Sequence, residues 1–428
     1  MPHNLPTLRV PMVPKLMTML AEGYRLDDLR KDAVAGLTVA IVALPLSMAI
    51  AVACGVGPER GLYTAIIGGF LVSVLGGSRF QIGGPAGAFI VLVASTFAKF
   101  GLEGLLLTVF LSGILLFIAG LLRFGDLIRR IPHAVTVGFT AGIAVVILAS
   151  QLKDLFGLHL SGPEPGRIIP KIMTLAAAFG TFGPASFMLS TGVAATIFTL
   201  RRFTPSWPGM LIAVVAASSA AWALHLPVDT IASRFGGVPR MLPSPHLPDM
   251  DLGKILPLIP AVLSFTLLGS IESLLSAVVA DRMTDRRHRP NMELVAQGVA
   301  NMGSALFGGL AVTGTIARTA TNVRAGARSP VAGILHSIFL LAFMVIVGPL
   351  AGYIPVSALA GVLLVVSWNM IERREFAQMF RHWRPALVLL ATFGVTVAED
   401  LTMGILSGCG LSLMFWGWDR PRGRARKA

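Results

Sequence analysis

Charge is what this chain has least of. Asp, Glu, Lys and Arg make up 13% of its 428 residues, against roughly 25% in a soluble domain. So few ionisable groups cannot clothe a water-facing surface of this size. With 54% hydrophobic residues and a mean hydropathy of +0.77, the excess apolar surface has to face lipid. Cysteine is scarce as well. Cys54 and Cys409 both lie in apolar runs without metal-ligand spacing, which argues against a disulfide scaffold and leaves them as small buried hydrophobes. There is no nucleophile–base motif, no H-E-x-x-H, no phosphate-binding loop and no carboxylate pair at catalytic spacing, which weighs against an enzyme. Nor is there a motif that calls for a cofactor or a metal. The first 30 residues lack an apolar core followed by a small-residue cleavage site, so they read as a basic cytoplasmic lead-in and not as a cleaved signal peptide.

What the chain does have is apolar sequence in long runs. Stretches able to span or half-span a bilayer recur near 33–53, 61–76, 84–98, 104–122, 131–152, 184–200, 206–226, 255–280, 291–307, 315–326, 330–349, 354–370, 385–398 and 401–418, fourteen in all. Residues 168–181, short and carrying Lys171, read as an interfacial helix. The division expected is a basic cytoplasmic segment 1–32, a first seven-segment unit 33–226, an external loop 227–254, a second unit 255–418 and a basic cytoplasmic tail 419–428. The net charge of +14 follows the same plan. With the N-terminus inside, the inner segments hold 25 Lys and Arg and the outer ones eight, the bias that the positive-inside rule describes. The runs RMTDRRHR (282–289) and RPRGRARK (420–427) are then topology signals, with lipid headgroups as a secondary partner and no nucleic acid implied.

An internal repeat sits within this pattern. VLGGSRFQIGGPAGAF (74–89) and LFGGLAVTGTIARTAT (306–321) align Gly76-Gly77 with Gly308-Gly309 at an offset of 232 residues. Each copy follows a span and reads as a Gly-Gly break, a short extended piece and a short helix of small residues. The copies fall in spans three and ten, equivalent places in two seven-span halves. Seven is odd, so the halves run through the membrane in opposite senses, and matched interruptions in an inverted repeat point to a mid-membrane binding site. Unwound backbone at that depth is tolerated only inside protein or beside a water-filled cavity.

Arg318 lies in the second copy between Ile316, Ala317, Thr319 and Ala320. A charge at the bilayer centre costs roughly 2.5–3.5 kcal/mol or more. It snorkels to an interface, pairs with a carboxylate, or attracts an anion. Two helix N-termini aimed at one point would favour the last, and the alignment sets Ala86 opposite Arg318. Pro85 suits a first helical turn, and the small residues from Gly83 to Ala88 leave backbone amides bare to an approaching ion. Glu272, in VLSFTLLGSIESLLSAVVA (262–280), is the other buried charge, with Leu268 and Ser276 on its helix face and no local cation. A carboxylate in dry surroundings holds its proton tightly, so Glu272 is a proton or cation carrier, or else a partner of Arg318 or a backbone cap. Ser270, Ser273 and Ser276 are expected to bond carbonyls within their own helix. Pro45 breaks the first span with a kink that either lines the site or serves packing alone. His133 and His336 read as satisfied structural histidines.

Four stretches taken together resemble the SulP, or sulfate permease, family of anion transporters. They are DAVAGLTVAIVALPLSMAIAVACGVGPERGLYTA (32–65), GGSRFQIGGPAGAF (76–89), SIESLLSAVVADRMT (270–284) and FGGLAVTGTIARTATNVRAGARSPVAGILH (307–336). The resemblance covers essentially all of 25–418. It implies an all-α polytopic membrane protein of fourteen segments in two inverted seven-helix repeats, a core domain moving against a gate domain, and a homodimer in the inner membrane with both termini cytoplasmic. Carried onto this chain, the anion site it implies comprises Ala86, Gly87 and Ala88, then Ile316, Ala317 and Arg318, with Leu46 and Ile50 from the first span. Relatives usually continue into a cytoplasmic STAS domain, whereas few residues follow the last span here, so a membrane domain without STAS is expected. Sodium-coupled bicarbonate carriers of the family pair an acid in span eight with a hydroxyl in span ten. Here Glu272 supplies the acid, but Ile316 stands at the hydroxyl's place, which weakens the sodium reading and favours a proton as the coupling ion. The function implied is proton-coupled symport of a dicarboxylate such as fumarate or succinate, or of sulfate. Sodium–bicarbonate symport, anion exchange and an anion-gated channel or motor stand as alternatives.

Overall fold

A computed structural model describes residues 12–128, 132–162, 164–165, 168–205, 207–371, 373–399 and 401–424 of the chain. Its first half runs through α1 (Lys15–Glu22), α2 (Leu26–Ala53) and α3 (Pro58–Tyr63), which continues as a π-helical turn at Thr64–Gly68 into α4 (Gly69–Leu75). There follow β1 (Gly83–Gly84), α5 (Ile90–Leu121), α6 (Gly125–Ile128), α7 (His133–Phe156), α8 (Ile168–Ala177), α9 (Pro184–Phe203), α10 (Gly209–Ala223) and α11 (Ile231–Phe235). The second half comprises α12 (Leu252–Thr284), α13 (Pro290–Leu306), β2 (Thr313–Gly314), α14 (Ile316–Arg324), α15 (Val331–Ala351), α16 (Val356–Met370), α17 (Arg373–Met379), α18 (Trp383–Ala398) and α19 (Leu401–Arg424).

Each of the fourteen apolar stretches is helical. Among the described residues, six helices are long and apolar enough to cross a bilayer unaided. The count is lower because several stretches are shorter than the roughly 20 residues a full crossing needs. The helices α10, α13 and α18 have 15, 17 and 16 residues, and α4 and α14 stop at the backbone breaks. In α5 the reverse holds: the long helix is two, because Gly101 takes φ 67° and ψ −169°, which only glycine adopts at little cost. That break separates the stretches expected at 84–98 and 104–122. The segment 168–181 turns 119° from α9, so it does not continue that span.

The first half's basic lead-in is more ordered than a loop. α2 begins at Leu26, seven residues before the expected span, and buries Asp32. That carboxylate accepts from the Tyr24 hydroxyl (2.9 Å) and from the backbone N–H groups of Arg328 (2.6 Å) and Ser329 (3.1 Å), which pins the start of α2 to the loop before α15.

The helices pack in two groups. One gathers α2, α4, α5, α12, α13, α14 and α15, and the other gathers α7, α9, α10, α16, α18 and α19; α16 lies against α2 where they meet. Small residues set the close approaches. A methyl group at Gly113 on α5 would stand 2.7 Å from the carbonyl oxygen of Gly298 on α13, so these backbones touch.

The two breaks meet in the first group. β1 pairs antiparallel with β2, Gly83 opposite Gly314 and Gly84 opposite Thr313, and Thr315 N–H donates to the Ile82 carbonyl (3.0 Å). The 232-residue offset carries Ile82 to Gly314 and Gly83 to Thr315, so it exchanges one pair for the other, as a local two-fold axis requires. Side chains supply what the unwound backbone lacks. Glu293 accepts from Gly77 N–H (2.9 Å) and Ser78 N–H (3.1 Å). Asn301 bonds both the N–H and the carbonyl of Val312 (2.9 Å each), and the Thr64 hydroxyl accepts from Leu310 N–H (2.6 Å). Asn322 donates to the Phe80 carbonyl (2.9 Å). Every orphaned group so paired avoids a cost of about 1–3 kcal/mol.

Glu293→Ala is therefore expected to lower thermal stability in detergent markedly, by about 1–3 kcal/mol for each N–H left without an acceptor. Glu293→Gln, which keeps one acceptor oxygen, should lose less. Equal melting temperatures for wild type and Glu293→Ala would contradict this account of the break.

Candidate anion site

Where β1 ends, the chain passes through Pro85 and an extended Ala86 into a 3₁₀ turn, Gly87–Phe89, and then α5. Where β2 ends, extended Thr315 leads into α14. Two helix starts therefore face the junction of the strands, and their first N–H groups have no partner within the helix. The extended residues belong to the breaks and not to the helices because glycine and proline dominate them and helix propensity is lowest there.

Arg318, the third residue of α14, is 2% exposed. One terminal nitrogen donates to the Ser47 hydroxyl (3.2 Å) and the Pro85 carbonyl (3.3 Å). Its Nε and Nη1 have no protein partner. Gly84 makes room for it: a methyl there would stand 2.3 Å from Nη1. No carboxylate among the described residues forms an ion pair with the guanidinium, so it neither snorkels nor pairs; it is a buried cation with open donors. The sequence singles out Arg318 but not Ser47, although that is the one hydroxyl beside Pro45 in ALPLSMAIA. Leu46 and Ile50, buried on either side of Ser47 along α2, leave the polar contact to the serine.

Ala86 and Ala88 are buried, Gly87 and Ile316 half-buried, and Ala317 exposed, so the junction is accessible at the start of α14. Against Gly87 stand residues of the second helix group. A methyl at Gly87 would lie 3.0 Å from Ile147 Cδ1 on α7 and 4.0 Å from Met370 Sδ on α16. Both are apolar residues of ordinary spans, and nothing in the sequence sets them apart from their neighbours.

Glu272 is buried on α12 and does not pair with Arg318, which closes one of the roles open to it. Its neighbours correct an expectation. Ser270 does donate to its own helix, to the Leu267 carbonyl (2.7 Å). Ser273 instead meets the Thr313 hydroxyl (2.9 Å) and accepts from Gly314 N–H (3.2 Å), and Ser276 donates to the Thr319 hydroxyl (3.0 Å). A two-residue strand leaves backbone groups unpaired, and Ser273 satisfies one of them, while Ser276 holds the Thr319 hydroxyl that accepts from Ile82 N–H (3.1 Å). This stitches α12 to β2 and α14 at Glu272. Gln81 joins the same seam, donating to the Ser273 carbonyl (3.1 Å). His133 is exposed and lies 3.3 Å from Glu375, whereas His336 is fully buried with neither ring nitrogen bonded, contrary to the expectation of a satisfied histidine. A cavity of about 640 Å³ lined by Glu59, Arg60, Glu103, His246 and Asp249 shares no residue with this site; buried charge, not open volume, marks the chemistry here.

Comparison with known proteins bears on the family and the fold. Residues 29–392 match the model of the sulfate permease family. YvdB of Bacillus subtilis strain 168, whose name assigns it to sulfate transport, is 40% identical over 398 residues, covering 92% of this chain and 75% of YvdB. The transmembrane domain of the cyanobacterial bicarbonate transporter BicA is 29% identical and superposes with a TM-score of 0.79 over 89% of this chain and 98% of that domain. Murine Slc26a9 in its inward-facing state, 17% identical, shares the fold with a TM-score of 0.86 over 98% of this chain and 74% of its own. The chain belongs to the sulfate permease family of anion transporters.

Proposed function

We propose that this chain is a secondary active symporter that moves a dicarboxylate such as fumarate or succinate, or sulfate, together with a proton. The observation that carries this reading is Arg318: a guanidinium in a dry interior, without a carboxylate and with two donor nitrogens unused, at a point faced by two helix starts. Such a site offers charge and N–H donors to an anion and little to a cation. Ala86, Gly87, Ala88, Ile316, Ala317 and Arg318 line it in this reading, with Leu46 and Ile50 behind, and Glu272 carries the proton. Ser47 adds a hydroxyl. The packing supports alternating access as part of this reading: the group bearing Arg318 would move against the group bearing Ile147 and Met370, exposing the anion to each side in turn, in a homodimer in the inner membrane with both termini in the cytoplasm.

Sodium-coupled bicarbonate uptake is the second reading, favoured by the likeness to the BicA transmembrane domain. Against it stands Ile316, an apolar side chain at the first position of α14, where no hydroxyl can join Glu272 around a cation.

Purified protein in liposomes separates these readings. Labelled fumarate or sulfate is expected to accumulate when the outside is acid and to ignore a sodium gradient; bicarbonate uptake driven by sodium would establish the second reading, and conductance without counterflow of any anion would defeat the carrier. Arg318→Ala should weaken anion binding by about 10- to 100-fold, the worth of one or two charge-assisted hydrogen bonds. Gly84→Ala, by displacing Nη1, should weaken it by about tenfold. Glu272→Gln is expected to retain anion exchange while losing accumulation driven by the pH gradient; accumulation that persists would remove the proton from Glu272.

A further inference from the structure

His336 on α15 has no exposed surface, and both of its ring nitrogens lack a partner. A buried polar atom left unbonded is costly, and here two lie on one titratable ring beside the anion site. α2 is held against the same turn by Gly36, where a methyl would stand 2.5 Å from the Ala332 carbonyl oxygen and 3.0 Å from His336 N. On the other side is Gly69 of α4. A methyl there would lie 3.7 Å from His336 Cε1, 3.0 Å from Ser337 Oγ and 3.0 Å from the carbonyl oxygen of Gly83 in β1. The next residue of that strand, Gly84, is the one pressed against Arg318 Nη1. Glycine backbone at 69, 83 and 84 thus runs between the imidazole and the guanidinium, so the two groups lie on either side of a thin, water-poor layer in which charges act strongly on one another.

The other charges around α15 are engaged or distant along their helices. On α2, Asp32 is satisfied by Tyr24, Arg328 and Ser329, and Asp27, Asp28, Arg30 and Lys31 lie at its outer end, with the Cys54 thiol just past its other end. On α3, Arg60 lies 3.8 Å from Glu59 and donates to the Gly308 carbonyl (2.7 Å), next to Tyr63. The π-turn and α4 carry no ionisable residue, and α15 carries none besides His336.

We propose that His336 is a second protonation site linked to the anion site, which takes up a proton when an anion occupies Arg318. Like charges in a water-poor interior repel strongly, and an anion on Arg318 cancels the repulsion. Anion and proton then strengthen each other's binding by the same factor. The proton adds a positive charge to the imidazole, so the core moves anion and proton with one unit less net negative charge. This assignment rests on the reading of Arg318 as the anion site, and is separate from Glu272, which no contact joins to His336.

The test is binding of sulfate and of fumarate to the purified full chain between pH 6 and 8, with proton uptake followed by an indicator dye in weak buffer. In wild type and in Glu272→Gln, affinity is expected to rise as pH falls. In His336→Gln the pH slope should flatten by up to about tenfold per pH unit, with one proton fewer taken up per anion. Where His336→Gln does not fold, ¹⁵N-imidazole spectra of otherwise wild-type protein carry the same test. Among the described residues two histidines, His288 and His336, are buried and their imidazoles are expected to exchange slowly with solvent; His288→Gln identifies the first, and the remaining signal should convert to imidazolium on anion addition. An unchanged pH slope and proton count in His336→Gln, or a buried imidazole that ignores the anion, overturns the assignment alone. Wild type that binds neither anion overturns the Arg318 reading, and this one with it.

Discussion

Removing a guanidinium from water costs several kcal/mol unless hydrogen bonds and an opposite charge replace the lost hydration. Arg318 receives one hydroxyl and one carbonyl, both on a single nitrogen, and no carboxylate. The protein holds this cation in place through backbone geometry: Gly84 gives way to Nη1, Pro85 turns its carbonyl to the guanidinium, and Pro45 stands two residues before Ser47 on α2. The open donors leave a buried cation under-satisfied, which is the physical basis of the proposal that an anion binds there.

Holding Arg318 there requires two helices to stop in the apolar interior, and that creates a second demand. Each break exposes N–H and C=O groups that lipid cannot satisfy. The β1–β2 pair meets part of the demand. Glu293, Asn301, Thr64, Asn322, Ser273 and Thr319 meet much of the rest from helices packed around it. These contacts bind α12, α13 and α14 into one body with the site. Contacts from the other helix group to Gly87 are apolar, through Ile147 and Met370, and carry no such network. A polar, stitched body facing a greasy one is the arrangement on which the proposed movement of one group against the other rests.

Much of this was legible in the linear sequence, for identifiable reasons. Low charge and long apolar runs dictate lipid exposure whatever the packing. Gly76-Gly77 and Gly308-Gly309 mark breaks because glycine is costly within a helix, and their fixed offset survives in the register of β1 and β2. Arg318 stood out because it is a charge set between Ile316, Ala317, Thr319 and Ala320 in an apolar run. Ser273 and Ser276 were misjudged because a hydroxyl's default within a helix is its own carbonyl, and the groups that claim them, Thr313 of β2 and Thr319 of α14, come from some 40 residues away. His336 was misjudged for the opposite reason: a lone histidine normally finds a partner, and only packing shows that none is there.

Taken alone, the sequence determined that the chain lives in a membrane, where its helices break and which charge the breaks surround, since composition, glycine placement and desolvation act locally. The tertiary structure decided what those residues touch. It put Ser47 and Pro85 on Arg318, left Glu272 apart from it, brought Ile147 and Met370 against Gly87 and set His336 behind β1. Those are contacts between segments tens to hundreds of residues apart, and they follow from which helix faces pack together, which no single segment specifies.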